Sequence, residues 1–198
     1  MKKRLCCFIL AFILIAICQA GCGKKDNGMK KVVLNEVAHS IFYAPQYVAI
    51  EMGYFKDAGI DLVLETGFGA DKTMTALISG NADIGFMGSE STIYAYAEGS
   101  KDYAVNFAGL TQRAGNFLVA REKIDNFSWD MVKGKNVLGG RKGGMPQMVL
   151  EYILKANNID PASDLSIDQS VDFGLTAGAF SGNTEYDFTV EFEPGATS

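Results

Sequence analysis

Cysteine is missing from the chain after position 22. The four cysteines lie at positions 6, 7, 18 and 22, so no disulfide can join distant parts of the chain, and the folded region must depend on its hydrophobic core. Hydrophobic residues make up 48% and charged residues 21% of the 198 residues. This is a globular composition, and the length suffices for one large or two small domains.

Several chemical signatures are also missing. The chain has one histidine, His39, and it has neither a His-Glu-x-x-His pair nor a Gly-x-Ser-x-Gly run. Its 18 Lys and Arg residues are outnumbered by 23 Asp and Glu, which gives a formal net charge of −5, whereas nucleic-acid binding requires a basic surface. We therefore predict no catalytic residue, no metal site, no cofactor and no nucleic-acid partner.

The N-terminus has the pattern of an export signal. Lys2, Lys3 and Arg4 precede an uncharged apolar run of 14 residues, from residue 5 to residue 18. This run is short for a membrane span, which requires about 20 residues, and it is typical of a signal peptide. Loss of such a leader would take the formal net charge from −5 to −8.

The end of this leader resembles the bacterial lipobox at Ala20, Gly21 and Cys22. In a lipobox, cleavage precedes the cysteine, whose thiol receives a diacylglycerol. We predict a signal peptide over residues 1–21, lipidation of Cys22, and a small, polar, lipid-anchored tether over residues 22–30. Ordinary signal cleavage and a retained anchor stay open, because Gln19 departs from the aliphatic residue usual at its position.

Hydrophobic periodicity predicts alternating strands and helices. In the first half we predict strands at residues 31–36, 61–65, 82–87 and 103–110, with helices at residues 44–52, 71–79 and 89–97 between them. This order indicates a parallel sheet with crossover helices. A polar crossing at residues 111–116 precedes a second set, with strands at residues 117–121, 135–138, 165–169 and 188–192 and helices near Trp129, after Pro146 and at residues 175–180.

A glycine-rich stretch at residues 137–157 predicts a strand end, a tight turn and a helix that begins near Pro146. The free N–H groups at such a helix start suit an anion or a polar ligand head. Met145 and Pro146 stand where a P-loop requires Lys and Ser or Thr, and the dinucleotide glycine spacing is also missing. A flexible turn carrying two solvated charges, Arg141 and Lys142, stays open as the alternative.

Four stretches resemble one family of binding proteins. They are NEVAHS at residues 35–40, YAPQYVA at residues 43–49, EMGYFKDAGIDL at residues 51–62 and LISGNADIG at residues 77–85. Through these stretches the chain is similar to the solute-binding lipoproteins of ABC importers for nitrate, sulfonate, taurine and thiamine-pyrimidine precursors.

The resemblance implies the α/β type II periplasmic-binding-protein fold, in which two α/β lobes close on a ligand about a hinge. We place lobe 1 at residues 31–112 and lobe 2 at residues 113–198. Family members continue beyond this length, and their last segment completes the first lobe. We therefore expect the C-terminal part to be missing, lobe 1 to be incomplete, and lobe 2 to be truncated near the return crossing.

In this family the ligand lies between the lobes, at strand ends. The candidate ligand-binding residues are Glu36, His39, Phe42, Tyr43, Gln46, Gly88, Ser89, Glu90, Arg113, Asn116, Gly143, Gly144, Met145 and Glu191. Phe42 and Tyr43 suit either stacking on a flat ligand or a place in the core. His39 suits either a ligand contact or a structural hydrogen bond, and Ser89 suits either an anion contact or a plain helix cap. The glutamates suit amino groups such as those of an aminopyrimidine, whereas Arg113, Arg141 and Lys142 suit a sulfonate or nitrate. The balance favours an aromatic, amine-bearing solute.

The resemblance implies a receptor anchored on the outer face of the cell membrane by lipid. It would deliver a small solute to an ABC permease and its ATPase. One alternative is an enzyme on the same scaffold, of the menaquinone- or pyrimidine-pathway type, and another is a ligand-sensing or adhesin-like surface domain. The leader and lipobox favour the receptor, because such enzymes act in the cytoplasm.

Overall fold

The computed structural model describes residues 28–113 and 115–198, which form two β-sheets flanked by helices. The predicted signal peptide, the predicted lipid site at Cys22 and most of the predicted tether lie outside the described residues. Within the two described ranges, no helix combines the length and the apolar character needed to cross a membrane.

The first sheet has three parallel strands in the order β2–β1–β3. The strands are β1, Lys30–Glu36; β2, Ile60–Thr66; and β3, Ile84–Phe86. In the central strand β1, Leu34 pairs with Leu64 on one side and with Ile84 on the other. Because parallel neighbours require crossover connections, helices join them: α1 is Ala44–Glu51, α2 is Tyr54–Asp57, α3 is Ala70–Ile78, and α4, Glu90–Ala97, follows β3.

Proline and glycine set the ends of these helices. Pro45 lies in the first turn of α1, where its missing N–H breaks no helical hydrogen bond. Gly53, with φ of 79°, and Gly80, with φ of 75°, adopt the left-handed conformation just after α1 and α3. The predicted strands and helices of residues 31–97 are confirmed, with small shifts at their ends.

The second sheet has four strands in the order β4–β7–β5–β6. The strands are β4, Asn116–Ala120; β5, Asn136–Leu138; β6, Ser166–Asp168; and β7, Phe188–Phe192. Strand β5 pairs in parallel with β6 and β7, whereas β4 runs antiparallel to β7. Helices α5, Met145–Ala156, and α6, Thr176–Gly182, pack around this sheet, with a short 3₁₀ turn at Trp129–Val132.

The core of this half joins the sheet to α5. Its buried members are Val132, Val137, Leu150, Leu154, Ile159, Leu165, Phe188 and Val190. The spacing of Leu150 and Leu154 places both on one side of α5, and both are at most 4% exposed. All predicted strands and helices after residue 116 are confirmed, and the two sheets give the predicted two α/β units. The exact lobe bounds, 31–112 and 113–198, remain predictions.

The predicted strand at residues 103–110 is wrong. The segment has no regular secondary structure, and Val105 and Phe107 are each 77% exposed. Its alternating apolar residues fit a strand locally, but a strand also requires a neighbour for its N–H and C=O groups. No strand among residues 28–113 and 115–198 pairs with it.

Candidate functional site

A cavity of about 300 Å³ lies between the two sheets. Parallel strands gather their carboxyl ends at one edge of a sheet, which is where α/β proteins bind ligands. The loops that follow β1, β3 and β5 reach this cavity from both halves. Its walls include Phe42, Tyr43, Gly69, Ala70, Phe86, Gly88, Ser89 and Glu90 from the first half and Arg141, Gly144, Met145, Pro146, Phe173 and Phe192 from the second, with residues 111–113 beside them.

Aromatic rings form a continuous wall across the cavity. Tyr43 lies against Phe86 with ring centroids 4.3 Å apart, and Phe42 contacts Phe192 of the second half at 5.6 Å. Phe173 continues the series, 5.2 Å from Phe192. Burial, together with nearby carboxylates, raises the pKa of Tyr43 to about 12, so its hydroxyl stays protonated. The wall can bind the face of a flat ligand.

Glu90, the first residue of α4, has an unusual environment for a carboxylate. It is 3% exposed, and neither carboxylate oxygen has a hydrogen-bond partner among the described residues. Burial raises the pKa of Glu90, and the backbone N–H groups of Glu90 itself and of Met145 lower it by less. A ligand that donates an N–H or O–H would satisfy this group.

Gly88 allows this side-chain position. A Cβ atom at residue 88 would lie 2.0 Å from Glu90 Oε2, so any larger residue would displace the carboxylate. Ser89 occupies the N-cap position of α4 and is exposed, but its side chain makes no capping hydrogen bond. Ser89 therefore holds the cap position without a capping side-chain hydrogen bond, and it lines the cavity.

The glycine-rich loop before α5 is fixed by internal hydrogen bonds. The Lys142 N–H donates to the Gln169 carbonyl at 3.0 Å, and the Gly143 N–H donates to Gln147 Oε1 at 2.6 Å. The Gly144 N–H donates to the Arg141 carbonyl at 3.2 Å. These donors are already used, so the loop offers fewer free N–H groups than the sequence suggests. The Met145 N–H contributes to lowering the pKa of Glu90.

Arg141 of the same loop binds two aspartates. Its Nε and Nη2 each donate to a carboxylate oxygen of Asp71 at 2.8 Å, and its Nη1 donates to Asp172. Lys72 donates to the other oxygen of Asp172 at 2.9 Å. The hydrogen bonds from Arg141 and Lys72 hold the pKa of Asp71 and Asp172, respectively, below the ordinary range. The Arg141 charge is thus neutralised within the protein, which weakens its suitability for a sulfonate.

Glu36 is the centre of a hydrogen-bond cluster and does not line this cavity. It is fully buried and accepts hydrogen bonds from Gln46 Nε2 and the Tyr47 hydroxyl at 2.9 Å each. The Thr66 hydroxyl donates at 3.3 Å, and His39 Nδ1 lies 3.0 Å away. The His39 side chain is 69% exposed. This cluster fixes the end of β1 against α1 and β2.

Glu191 is also buried away from this cavity. It accepts hydrogen bonds from the Thr176 hydroxyl at 3.0 Å and the Thr189 hydroxyl at 2.8 Å, and burial raises its pKa. It shares with His39 the wall of a second cavity of about 310 Å³. Asn116 begins β4, and Gly143 lines a separate open groove.

The structure thus brings together eight of the fourteen predicted residues around one cavity, namely Phe42, Tyr43, Gly88, Ser89, Glu90, Arg113, Gly144 and Met145. The other six, Glu36, His39, Gln46, Asn116, Gly143 and Glu191, lie elsewhere. Ligand contact by all fourteen remains a prediction. Sequence reasoning missed Phe86, Phe173 and Phe192, although Phe86 and Phe192 end strands and Phe173 follows one. In the described ranges, no group of three or more His, Cys, Asp or Glu residues is arranged to hold a metal ion.

Comparison with known proteins identifies related chains. The profile of the family described as NMT1/THI5 like matches residues 41–180. YtlA of Bacillus subtilis (strain 168), which its name assigns provisionally to the binding proteins, is 50% identical over 186 residues. That alignment covers 94% of this chain and 54% of the relative, so the chain spans about half the length of YtlA.

Solved structures show the same fold. A protein from Bordetella bronchiseptica RB50 is 24% identical with a TM-score of 0.67, over 83% of this chain and 52% of that one. The periplasmic aliphatic sulphonate binding protein SsuA from Escherichia coli is 15% identical with a TM-score of 0.50, over 84% and 55% of the two chains. The alkanesulfonate-binding protein SsuA from Xanthomonas axonopodis pv. citri, bound to MOPS, is 15% identical with a TM-score of 0.54, over 85% and 55%. The predicted periplasmic-binding-protein fold is confirmed.

Proposed function

Because the chain belongs to the NMT1/THI5-like family, we propose that it is an exported solute-binding protein that delivers a small solute to an ABC permease and its ATPase. The observation that carries this proposal is the cavity between the two sheets, to which both halves contribute aromatic and charged residues. The names of YtlA and of the two SsuA proteins support a binding function over an enzymatic one. Anchoring to the outer face of the cell membrane through lipid on Cys22 is part of the proposal.

The residues that line the cavity limit the class of solute that it suits. A volume of about 300 Å³ suits a small organic molecule, and the rings of Tyr43, Phe86 and Phe42 suit a flat one. We retain both solute classes as candidates, the aminopyrimidine-like and the sulfonate- or nitrate-like. The buried carboxylate of Glu90 favours the first, and exposed Arg113 at the cavity rim favours the second.

Thermal unfolding of the purified chain tests this proposal. The panel contains taurine, alkanesulfonates, nitrate and aminopyrimidines, each titrated to saturation. A ligand that binds only the folded state stabilises it by about 2.7 kcal/mol at 100 times its Kd, which corresponds to a rise in Tm of about 5–10 °C for a chain of this size. We expect one class to give a saturable rise.

A matched pair of variants locates the binding. Tyr43→Ala removes a ring from the cavity wall and should abolish the rise, whereas Tyr54→Ala removes a ring from α2 that is 56% exposed and should preserve it. A sharp transition that no solute shifts would contradict a receptor for these solutes. A rise that Tyr43→Ala leaves intact would contradict this cavity as the site.

A further inference from the structure

The outer edge of strand β3 borders an open groove. Among residues 28–113 and 115–198, β3 pairs only with β1, so the other side of Ile84–Phe86 has no strand neighbour. A groove of about 500 Å³ is lined by β3, by Thr92 of α4 and by residues 103–110. Charged residues and proline commonly protect a free edge, and β3 contains neither. The edge of β3 can therefore accept a further strand.

Residues 103–110 have the pattern of a strand without a strand partner. None of their backbone N–H or C=O groups takes part in a backbone hydrogen bond within the described part of the chain. Side chains nevertheless hold the segment against α4, because Asn106 Nδ2 donates to the Thr92 hydroxyl at 3.0 Å and the Tyr103 ring meets the edge of the Tyr96 ring at 5.7 Å. The segment thus presents unpaired backbone groups beside the groove.

The side chains of this segment and of α4 form an exposed apolar surface. Residues 103–110 include no charged residue, and Ile93 and Tyr96 lie on one side of α4 because they are three residues apart. The apolar surface consists of six side chains that are 49–77% exposed, namely Ile93, Tyr96, Tyr103, Val105, Phe107 and Leu110. Side chains of these types and exposures offer roughly 600 Å². Exposed apolar patches of this size mark interaction sites.

We propose that a second copy of this chain covers the apolar surface, and that residues 103–110 of each copy pair with the β3 edge of the other. A two-fold interface requires a surface that is complementary to itself, and this surface combines a free strand edge with an unpaired strand-like segment. Two copies together bury roughly 1,200 Å², which exceeds the about 1,000 Å² expected of a specific interface. This inference does not depend on the proposed function.

A membrane suits the apolar surface less well than a second copy does. The unpaired N–H and C=O groups of residues 103–110 would lose water in lipid without gaining partners, whereas a strand edge supplies those partners. The formal net charge of −5 also opposes approach to anionic lipid head groups. Both the backbone and the charge therefore favour a protein partner.

Sedimentation equilibrium of the purified chain tests this pairing. Phe107→Lys places a charge on the apolar surface of both copies, whereas Tyr152→Lys places the same charge on α5 at a similarly exposed aromatic residue, 72% against 77%. We expect the unaltered chain and Tyr152→Lys to form dimers with a Kd of about 10 µM or tighter. Phe107→Lys should weaken the dimer by about 10-fold or more, because like charges then meet across the interface.

Hydrogen exchange identifies the paired backbone. Above the Kd of the dimer, the amides of residues 103–110 and of β3 should exchange at least about 10-fold more slowly than in the diluted chain. Phe107→Lys should remove this dependence on concentration. In dilute solution the three chains should have Tm values within about 2 °C of one another, because both substitutions lie on the surface.

A monomer at every concentration, or a dimer that Phe107→Lys leaves unchanged, overturns the inference. Open-ended association also overturns it, because a two-fold interface closes at two copies. Binding of a monomer to phosphatidylcholine vesicles that Phe107→Lys abolishes assigns the apolar surface to a membrane instead. Solute binding in the cavity between the sheets is measured separately, so each of these outcomes leaves the receptor function standing.

Discussion

Two buried glutamates at the edge of the first sheet have opposite environments. Glu36 is fully buried and lies within hydrogen-bond distance of four side chains, including Gln46 and Tyr47. Glu90 is 3% exposed and has no partner for either oxygen within the described part of the chain. A buried carboxylate surrounded by donors stabilises a fold, whereas one without donors destabilises it. The Glu36 carboxylate therefore stabilises the fold, whereas ligand contact by Glu90 remains a prediction.

This contrast predicts opposite effects of the same substitution. Glu36→Gln removes the charge and replaces one acceptor by a donor that faces Gln46 and Tyr47, so we expect a loss of about 1.5–3 kcal/mol in the free energy of unfolding. Glu90→Gln removes an unpartnered buried charge, so we expect a gain of about 1–3 kcal/mol at neutral pH. Denaturant unfolding of both variants beside the unaltered chain measures the two changes. Equal effects of the two substitutions would contradict the assignment.

The pH dependence of the stability gained in Glu90→Gln provides a control for this prediction. Burial raises the pKa of Glu90 above its ordinary value of 4.5, so the folded state holds this proton more tightly than the unfolded state does. The stability that protonation provides is fully present below pH 4.5 and is lost as pH rises through the pKa of the folded state. Tyr43, which faces Glu90, remains neutral throughout this range. The stability gap between Glu90→Gln and the unaltered chain should therefore be large at pH 7 and small at pH 4.

At the scale of secondary structure, Gly139 shows how packing fixes the loop before α5. A Cβ atom at this position would lie 2.2 Å from Ile167 Cγ2 and 3.2 Å from Leu150 Cδ2. Ile167 belongs to β6 and Leu150 to α5, so Gly139 lets the loop pass close to both. The glycine is required because β6 and α5 converge at this point.

Gly139→Ala should therefore destabilise the second half by about 1–3 kcal/mol, because the added methyl group overpacks its core. Gly178→Ala in α6 is the matched control, since a Cβ atom there meets nothing within 4 Å. Alanine in a helix interior is favoured over glycine by about 0.5–1 kcal/mol, so the control should be slightly more stable. Thermal unfolding of the two variants measures the difference, and equal Tm values would show that the Gly139 site can relax.

Local signals in the sequence account for most of these elements. Apolar periodicity and the positions of Pro45, Gly53 and Gly80 predict the helices of the first half, because each signal acts within a few residues. The segment at residues 103–110 has the local pattern of a strand without forming one. Strand formation depends on a distant partner, and the local pattern carries no information about one.

The sequence likewise predicts some residues of the cavity and misses others. The order of strands alone predicts the cavity residues that follow strand ends, such as Tyr43, Ser89 and Met145. Phe192 meets Phe42 from 150 positions away, and only the folded chain shows this. Sequence also cannot distinguish Glu36, which is surrounded by donors, from Glu90, which has none, because the donors come from several separate elements.

At the scale of the whole molecule, charged side chains link the two halves beside the cavity. Arg141 joins Asp71 of α3 to Asp172, and Lys72 of α3 also binds Asp172. The Phe173 N–H donates to the Phe68 carbonyl at 3.3 Å in the same region. These contacts hold α3 of the first half against the loops of the second, and they sit next to the aromatic wall that a ligand would touch.

Asp71→Asn should loosen this link in a manner that depends on salt. The side chains of Arg141 and Asp71 are 22% and 45% exposed, so solvent weakens the pair and we expect a loss of about 0.5–1 kcal/mol. For a chain of this size that is a fall in Tm of about 1–4 °C at low ionic strength. The fall should shrink in 1 M salt, where the screening length is about 3 Å.

Asp130→Asn is the control for this prediction, because its partner Lys133 lies three residues away on the same short turn and both side chains are well exposed. It removes an equal charge without touching the contact between the halves, so its Tm should stay within about 1 °C of that of the unaltered chain. Asp71→Asn leaves the hydrogen bond from Arg141 to Asp172 in place, so the link between the halves is weakened and not lost. Equal Tm losses in the two variants at low salt would mean that the Arg141–Asp71 pair contributes no more than an ordinary surface charge.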